Sequence, residues 1–183
     1  AFSECTQTIL SEVGSLKSLV EEFTRFARMP IPAFKEGDLG EELRAVVENF
    51  RTAHPGITWE FEEGEVPPVW FDPFQIRRAV TNLLENAVAA LGKQGRCVVQ
   101  VGHEPARGSV RVSVGDDGPG VPPGDRERLF EPYFSRKEGG MGLGLAIVSA
   151  IASDHQGTVR VRDNVPKGTV FEIEFPVRPK REG

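Results

Sequence analysis

A chain of 183 residues, 39% hydrophobic and 27% charged, has room for one ordinary globular domain and an appendage, and no apolar run reaches the length needed to cross a bilayer. A formal net charge of -5 argues against a nucleic-acid-binding face, which needs concentrated Lys and Arg, and the basic tail 178–183 is too short to reverse that. Cys5 and Cys97 lack metal-ligand spacing and predict free thiols in a reducing, cytoplasmic setting, while the opening Ala1-Phe2-Ser3-Glu4, without initiator Met or leader, reads as part of something longer.

From residue 4 to about 28, Ile9, Val13, Leu16, Val20, Phe23 and Ala27 alternate spacings of four and three, with Leu10, Leu19 and Phe26 beside them. This predicts a helix with a coiled-coil-like seam, suited to a bundle partner. Met29-Pro30-Ile31-Pro32 ends it, since proline removes a helical amide and biases the residue before it towards extended backbone. Residues 29–37 are expected to be a linker. Asp38 then caps a helix to about Ala53, with Leu43, Val46, Val47 and Phe50 on one face, and His54-Pro55-Gly56 breaks it. Residues 57–62 alternate with period two as a strand, and Val69-Trp70-Phe71 is a short extended piece.

Asp72-Pro73 opens a helix in the favoured N-cap and N1 arrangement, running to about Leu91. Its apolar face, Ile76, Val80, Leu83, Leu84, Ala87, Val88 and Leu91, is interrupted by Asn82 and Asn86, four apart and therefore one turn apart on one side. Asparagine is a poor helix former and each costs some tenths of a kcal/mol, roughly, so either the pair bonds neighbouring loops or it has a function. The side-chain oxygen is a hard donor of the kind Mg2+ accepts. Glu85, turned about 100° from Asn86, is expected to point elsewhere.

Residues 96–103 and 110–114 read as adjacent antiparallel strands, the second delivering Asp116-Asp117-Gly118-Pro119-Gly120. A carboxylate at a strand mouth beside bare backbone can accept from an amine such as that of adenine, although a polar turn would use the same residues. The stretch 119–140 is too long, and too rich in Gly, Pro and charge, for an idle connection. Gly140-Met141-Gly142-Leu143-Gly144-Leu145 leads into a helix over about 143–154, a turn whose free amides suit phosphate. It satisfies neither the dinucleotide-binding glycine pattern nor the Walker pattern. Residues 157–162 and 169–177 alternate as two antiparallel strands, with Thr169 opening the second.

Asn82-Leu83-Leu84-Glu85-Asn86, Asp116-Asp117-Gly118-Pro119-Gly120, Leu129-Phe130-Glu131-Pro132-Tyr133-Phe134, the 140–145 turn and Gly168-Thr169 together resemble, in order, the N, G1, F, G2 and G3 boxes of sensor histidine kinases. These kinases belong to the ATPase superfamily that also holds gyrase, Hsp90 and MutL. The resemblance implies a two-layer α/β sandwich (the Bergerat, or GHKL, fold) over 38–177, with a mixed sheet backed by helices at about 38–53, 73–91 and 143–154, and ATP and Mg2+ as its ligands. It gives Asp116 the adenine amine, Gly118 and Gly120 the base pocket, and Asn82 and Asn86 the metal and phosphates. Gly140, Gly142, Leu143, Gly144 and Leu145 become the phosphate cradle and Thr169 a phosphate-side hydroxyl. Residues 119–140 become a lid, with Phe130 and Phe134 as latches or core anchors and Lys137 as the cation nearest the terminal phosphate.

Residues 1–28 are similar to the second helix of the dimerising hairpin, and 21–30 to nitrogen-regulation kinases of the NtrB/NtrY type. This implies a homodimer through that helix, a response regulator as partner, and a phosphoacceptor histidine outside this chain, since His54, His103 and His155 sit in no acceptor motif. Asn82 stands where gyrase, Hsp90 and MutL carry a water-activating glutamate, which predicts slow hydrolysis. Ala89 occupies a position where a basic residue or Tyr is common. The competing readings are a regulatory module with a relic kinase domain and a gyrase-type ATPase.

Overall fold

The computed structural model describes residues 31–135 and 142–178, together with Thr6, Leu10, Val13, Gly14, Lys17 and Val20. Those six positions are helical, and Leu10, Val13 and Val20 are exposed. The remainder of the expected N-terminal helix lies outside the described residues.

The elements run β1 (Lys35–Gly37), α1 (Leu39–Ala53), β2 (Ile57–Glu63), β3 (Val69–Phe71), α2 (Pro73–Leu91), β4 (Gly95–Glu104), β5 (Ser109–Asp116), α3 (Gly144–Asp154), β6 (Thr158–Asp163) and β7 (Thr169–Pro176), with a 3-10 turn at Pro123–Asp125. Five strands form one sheet in the order β2-β4-β5-β7-β6, parallel between β2 and β4 and antiparallel elsewhere. A separate ribbon pairs β1 with β3. Part of the segment expected to be a linker is therefore paired to the domain that follows it. Lys35-Glu36-Gly37 shows no apolar alternation, so only its distant partner makes it a strand.

The three helices back one face of the sheet, with α2 between α1 and α3. Leu43 and Val47 of α1, Ile76, Val80, Leu83 and Leu84 of α2, and Val148 and Ile151 of α3 meet Val99, Val112, Val114, Ile173 and Phe175 of the sheet in one core. Burying a side chain such as Leu83 or Leu84 contributes about 1.5–3 kcal/mol, which outweighs the tenths that each asparagine of α2 costs. The helix can carry Asn82 and Asn86 because its other faces are so firmly held.

The start of α2 is fixed with unusual thoroughness. The Asp72 carboxylate accepts from Phe74 N and Gln75 N at 2.8 and 3.0 Å, and from Ala33 N at 2.7 Å. His155, fully buried just after α3, donates from Nδ1 to Ile151 O at 2.8 Å and accepts at Nε2 from Asp72 N at 3.1 Å. The ring lies between Phe34 and Phe175, with centroids 4.9 and 5.4 Å away. Burial pushes its pKa down, partly opposed by the Ile151 carbonyl and by Asp72 and Asp154. The neutral tautomer thus ties α3, the start of α2 and the 31–37 segment together.

Candidate functional site

Asp116 ends β5 almost wholly buried, opposite Thr169 in the β5–β7 register. Gly118 N donates to its Oδ1 at 2.9 Å. Burial raises its pKa, against the opposing pull of hydrogen bonds from the Gly118 and Thr169 backbones. An uncompensated buried carboxylate is costly, and a ligand amine donating to it offsets that cost. Asp117 does something else: its Oδ1 accepts from Arg96 N at 2.8 Å and its amide donates to Arg96 O, so it closes the start of β4.

The β6–β7 turn supports Asp116 from outside. Asn164 Nδ2 donates to Asp116 O at 2.8 Å, and Gly168 passes so close, at φ +110°, that a Cβ there would lie 1.9 Å from the same oxygen. Only glycine fits. Beneath the site, burial first and then Asp116 and Asp117 push the Cys97 thiol up to about 12, which leaves it inert as a nucleophile.

Asp116 opens into a cavity of about 630 Å³ between α2, β5, β7, the start of α3 and the 119–135 segment. That size suits a small organic ligand. Arg78, Asn82, Asn86 and Ala90, four residues apart in turn, line it from α2, flanked by Thr81 and Glu85. Leu143, Gly144 and Leu145 line it from the opening of α3, whose N-cap residue makes no side-chain capping bond. Its first-turn amides therefore have no side-chain partner at the cap. A Cβ on Gly144 would lie 3.5 Å from Asn82 Oδ1, so the glycine turn and the asparagine helix adjoin.

Over the cavity lie Pro119, Gly120, Val121, Pro122, Asp125, Leu129, Phe134 and Ser135. Phe130 turns the other way, edge-on to Phe171 at 6.4 Å, and Phe134 lies under the Arg128 guanidinium at 4.7 Å. The end of the 119–135 segment is tied to Gly142. Tyr133 N donates to Gly142 O at 3.1 Å, and Gly142, at φ +66°, leaves no space for a Cβ against the Phe134 and Tyr133 backbone.

Of the residues expected at the site, Asn82, Asn86, Asp116, Gly120, Phe134, Gly142, Leu143, Gly144, Leu145 and Thr169 all line this one cavity. Gly118 and Phe130 do not line it: the first serves through its amide to Asp116, the second anchors the lid to the sheet. Lys137 and Gly140 lie outside the described residues. Glu85 lines the rim, contrary to expectation, because the cavity wraps around more of α2 than the single face bearing the asparagines. Arg78, Asp125 and Phe171 went unforeseen, although the four-residue spacing from Asn82 back to Arg78 was a readable signal.

A mixed sheet backed by three helices, with a nucleotide-sized cavity joining a buried strand-end carboxylate, two helix asparagines and a glycine-opened helix, defines a nucleotide-binding domain of the ATPase type. The chain belongs to the family described as histidine kinase-, DNA gyrase B-, and HSP90-like ATPase, whose sequence profile matches residues 71–179, more than half of its length. Nitrogen regulation protein NtrY of Azorhizobium caulinodans is 36% identical over 99% of this chain, and sensory histidine kinase/phosphatase NtrB of Rhodobacter capsulatus 32% identical over 97%. The chain spans 24% of the first and 53% of the second. The catalytic domain of histidine kinase ThkA superposes with TM-score 0.74 at 33% identity, over 80% of this chain and 97% of that one. Full-length ShkA in complex with AMPPNP gives 0.80 at 32%, over 96% and 39%, and ThkA in complex with response regulator protein TrrA gives 0.79 at 28%, over 95% and 51%. Within the family, this chain is the catalytic, ATP-binding domain of a two-component sensor histidine kinase.

Proposed function

We propose that the cavity holds Mg-ATP with the adenine amine on Asp116 and the phosphates along Asn86, Asn82 and the start of α3, and that the γ-phosphoryl group passes to a histidine carried outside this chain. The observation that carries the reading is that Asp116, from a strand end, and the two asparagines of α2 line the same cavity. Transfer breaks the bond from the γ-phosphorus to the β–γ bridging oxygen, whose electron pair leaves with ADP, and forms a bond from the acceptor imidazole nitrogen; the imidazole proton passes to solvent. Such chemistry asks the protein mainly for positioning and charge neutralisation.

The donor set fits magnesium. Mg2+ sites use one or two protein oxygens completed by water and phosphate, and the amide oxygens of Asn82 and Asn86 can supply them. Bound there, the ion would neutralise phosphate charge in a cavity lined by the carboxylates of Glu85, Asp116 and Asp125. On sequence grounds, Lys137 and the Gly140 amide belong to the same phosphate end. Their neighbours in the lid, Phe134 and Ser135, line the cavity.

The wider protein is proposed to be a nitrogen-regulation type sensor kinase, on its likeness to NtrY and NtrB. A response regulator is its proposed partner, since ThkA has been crystallised with TrrA. Exposed Leu10, Val13 and Val20 at helical positions support dimerisation through the N-terminal helix. Among the described helices none is long and apolar enough to cross a membrane.

Calorimetry with ADP and a non-hydrolysable ATP analogue, with and without Mg2+, tests the reading. Binding of both nucleotides, strengthened for the analogue by Mg2+, is expected; no binding overturns it. Incubation with labelled ATP should leave no acid-labile phosphate on this chain, and robust self-labelling would refute an acceptor lying elsewhere.

A further inference from the structure

Two landmarks orient any nucleotide along α2. A Cβ at Gly118 would lie 3.1 Å from Ala90 Cβ, which puts the C-terminal end of the helix beside the Asp116 loop. Asn82, two turns towards the N-terminus, adjoins Gly144 and the opening of α3. Base and phosphates are thereby ordered from Ala90 through Asn86 to Asn82. One turn further on the same face stands Arg78, partly buried and lining the same cavity. The twelve residues from Ala90 to Arg78 span about 18 Å at the helical rise, enough for a nucleoside triphosphate to lie alongside.

Charge singles out the same side chain. Among the described residues that line the cavity, Arg78 is the one cation, set against Glu85, Asp116 and Asp125. The arginines of the 119–135 segment do not line the cavity: Arg126 pairs with Asp163, and Arg128 with Glu131 and the ring of Phe134. Arg77, its immediate neighbour, turns away to Glu42 of α1 at 3.6 Å and to Pro73 O at 3.2 Å. Of the two neighbours, Arg78 lines the cavity and Arg77 does not.

Resting on the reading of the cavity as an ATP site, we propose that Arg78 binds the terminal phosphate and sets the preference for ATP over ADP. A planar guanidinium gives two parallel N–H donors to one phosphate and stays charged at every working pH. ADP ends short of the Arg78 turn, whereas the γ-phosphate reaches it.

The test measures affinities of this chain for Mg-ADP and for a non-hydrolysable Mg-ATP analogue in the unaltered protein and in Arg78→Ala, Arg78→Gln and Arg78→Lys. The prediction is that Arg78→Ala and Arg78→Gln leave ADP affinity within about two-fold while weakening the analogue about ten-fold or more, the ordinary range for one charge-assisted contact. Arg78→Lys should recover part of the loss. Equal weakening of both nucleotides, or of neither, in the glutamine variant, which keeps a long polar side chain and a measurable melting transition, overturns the proposal. Absence of binding to the unaltered chain would overturn the underlying ATP reading and this one with it; binding by the unaltered chain with no selective loss would overturn this one alone.

Discussion

The end of the cavity proposed to take the base hangs from the core, with Asp116 on β5, Thr169 opposite it on β7 and Ala90 on α2, whereas the end proposed to take the phosphates is bordered by the opening of α3 and by the 119–135 segment, which meets the sheet through Phe130. Asp116 is held in place before any ligand arrives by hydrogen bonds from the Gly118 and Thr169 backbones and by Asn164 on its carbonyl, while its burial raises its pKa. At the other end the protein offers uncapped amides, the amide oxygens of Asn82 and Asn86 and the guanidinium of Arg78, and the rest of the charge balance is left to the proposed ligand and metal. Preorganisation is concentrated where the ligand is neutral and aromatic. Where the ligand is charged, the protein supplies donors and leaves room for the lid.

The first way to break this contrast is to remove the support of the base end. Gly168→Ala forces a Cβ onto the Asp116 carbonyl at a positive φ and should destabilise the domain by about 3 kcal/mol or more, read as a fall in melting temperature with nucleotide binding lost in parallel. Asp116→Asn separates function from support. It should weaken ADP and ATP analogues alike by about ten-fold to a hundred-fold, the scale of a lost hydrogen bond to a charged group. The melting temperature should hold or rise, because a buried carboxylate whose ionisation is disfavoured has been removed.

A third prediction concerns the joint between the halves. Asp72→Ala removes an N-cap and the tie to Ala33, and should cost about 1–2 kcal/mol. His155 adds a pH signature. Its folded pKa is lowered, so an unfolded chain binds the proton that the buried ring refuses, and stability fully present above about pH 6.5 declines as pH falls below it. Melting at pH 7.5 and 5.5 should therefore show a smaller difference in His155→Gln than in the unaltered protein. The smallest effect belongs to the lid: Phe134→Ala should weaken nucleotide binding only a few-fold, about 1 kcal/mol, and leave the melting temperature unchanged.

Legibility from sequence followed the range of the interactions. Asp38 and Asp72 cap their helices through amides two or three residues away, and both helix starts were readable. So was the run from Pro73 to Leu91, whose apolar period is strong. The other tie at the start of α2, the Asp72 amide donating to His155 Nε2, joins residues 83 apart and leaves no local trace. The same holds for β1, which becomes a strand only against β3, and for the parallel pairing of β2 with β4. At the site, Asn82 and Asn86 stand out because asparagine is a poor helix former, whereas Asp116 and the glycine turn, ordinary turn residues by themselves, stand out only through the ordered set of motifs. Glu85 is an ordinary helix residue off the asparagine face, and only the width of the cavity brings it in; Arg78 is marked by nothing but its four-residue spacing from Asn82.

The central claim is that Asp116, Asn82 and Asn86 surround one bound nucleotide. Titrating ADP and Mg2+ into the isotopically labelled chain, and following by NMR the Gly118 backbone amide with the side-chain amides of Asn82, Asn86 and Gln75, tests it directly. Gly118, Asn82 and Asn86 should shift together along one binding curve, while Gln75, buried about two turns away at the N-terminal end of α2 and bonded to Asp154, stays in place. Shifts confined to residues away from the cavity, or Gly118 and the asparagines responding with different affinities, would contradict it.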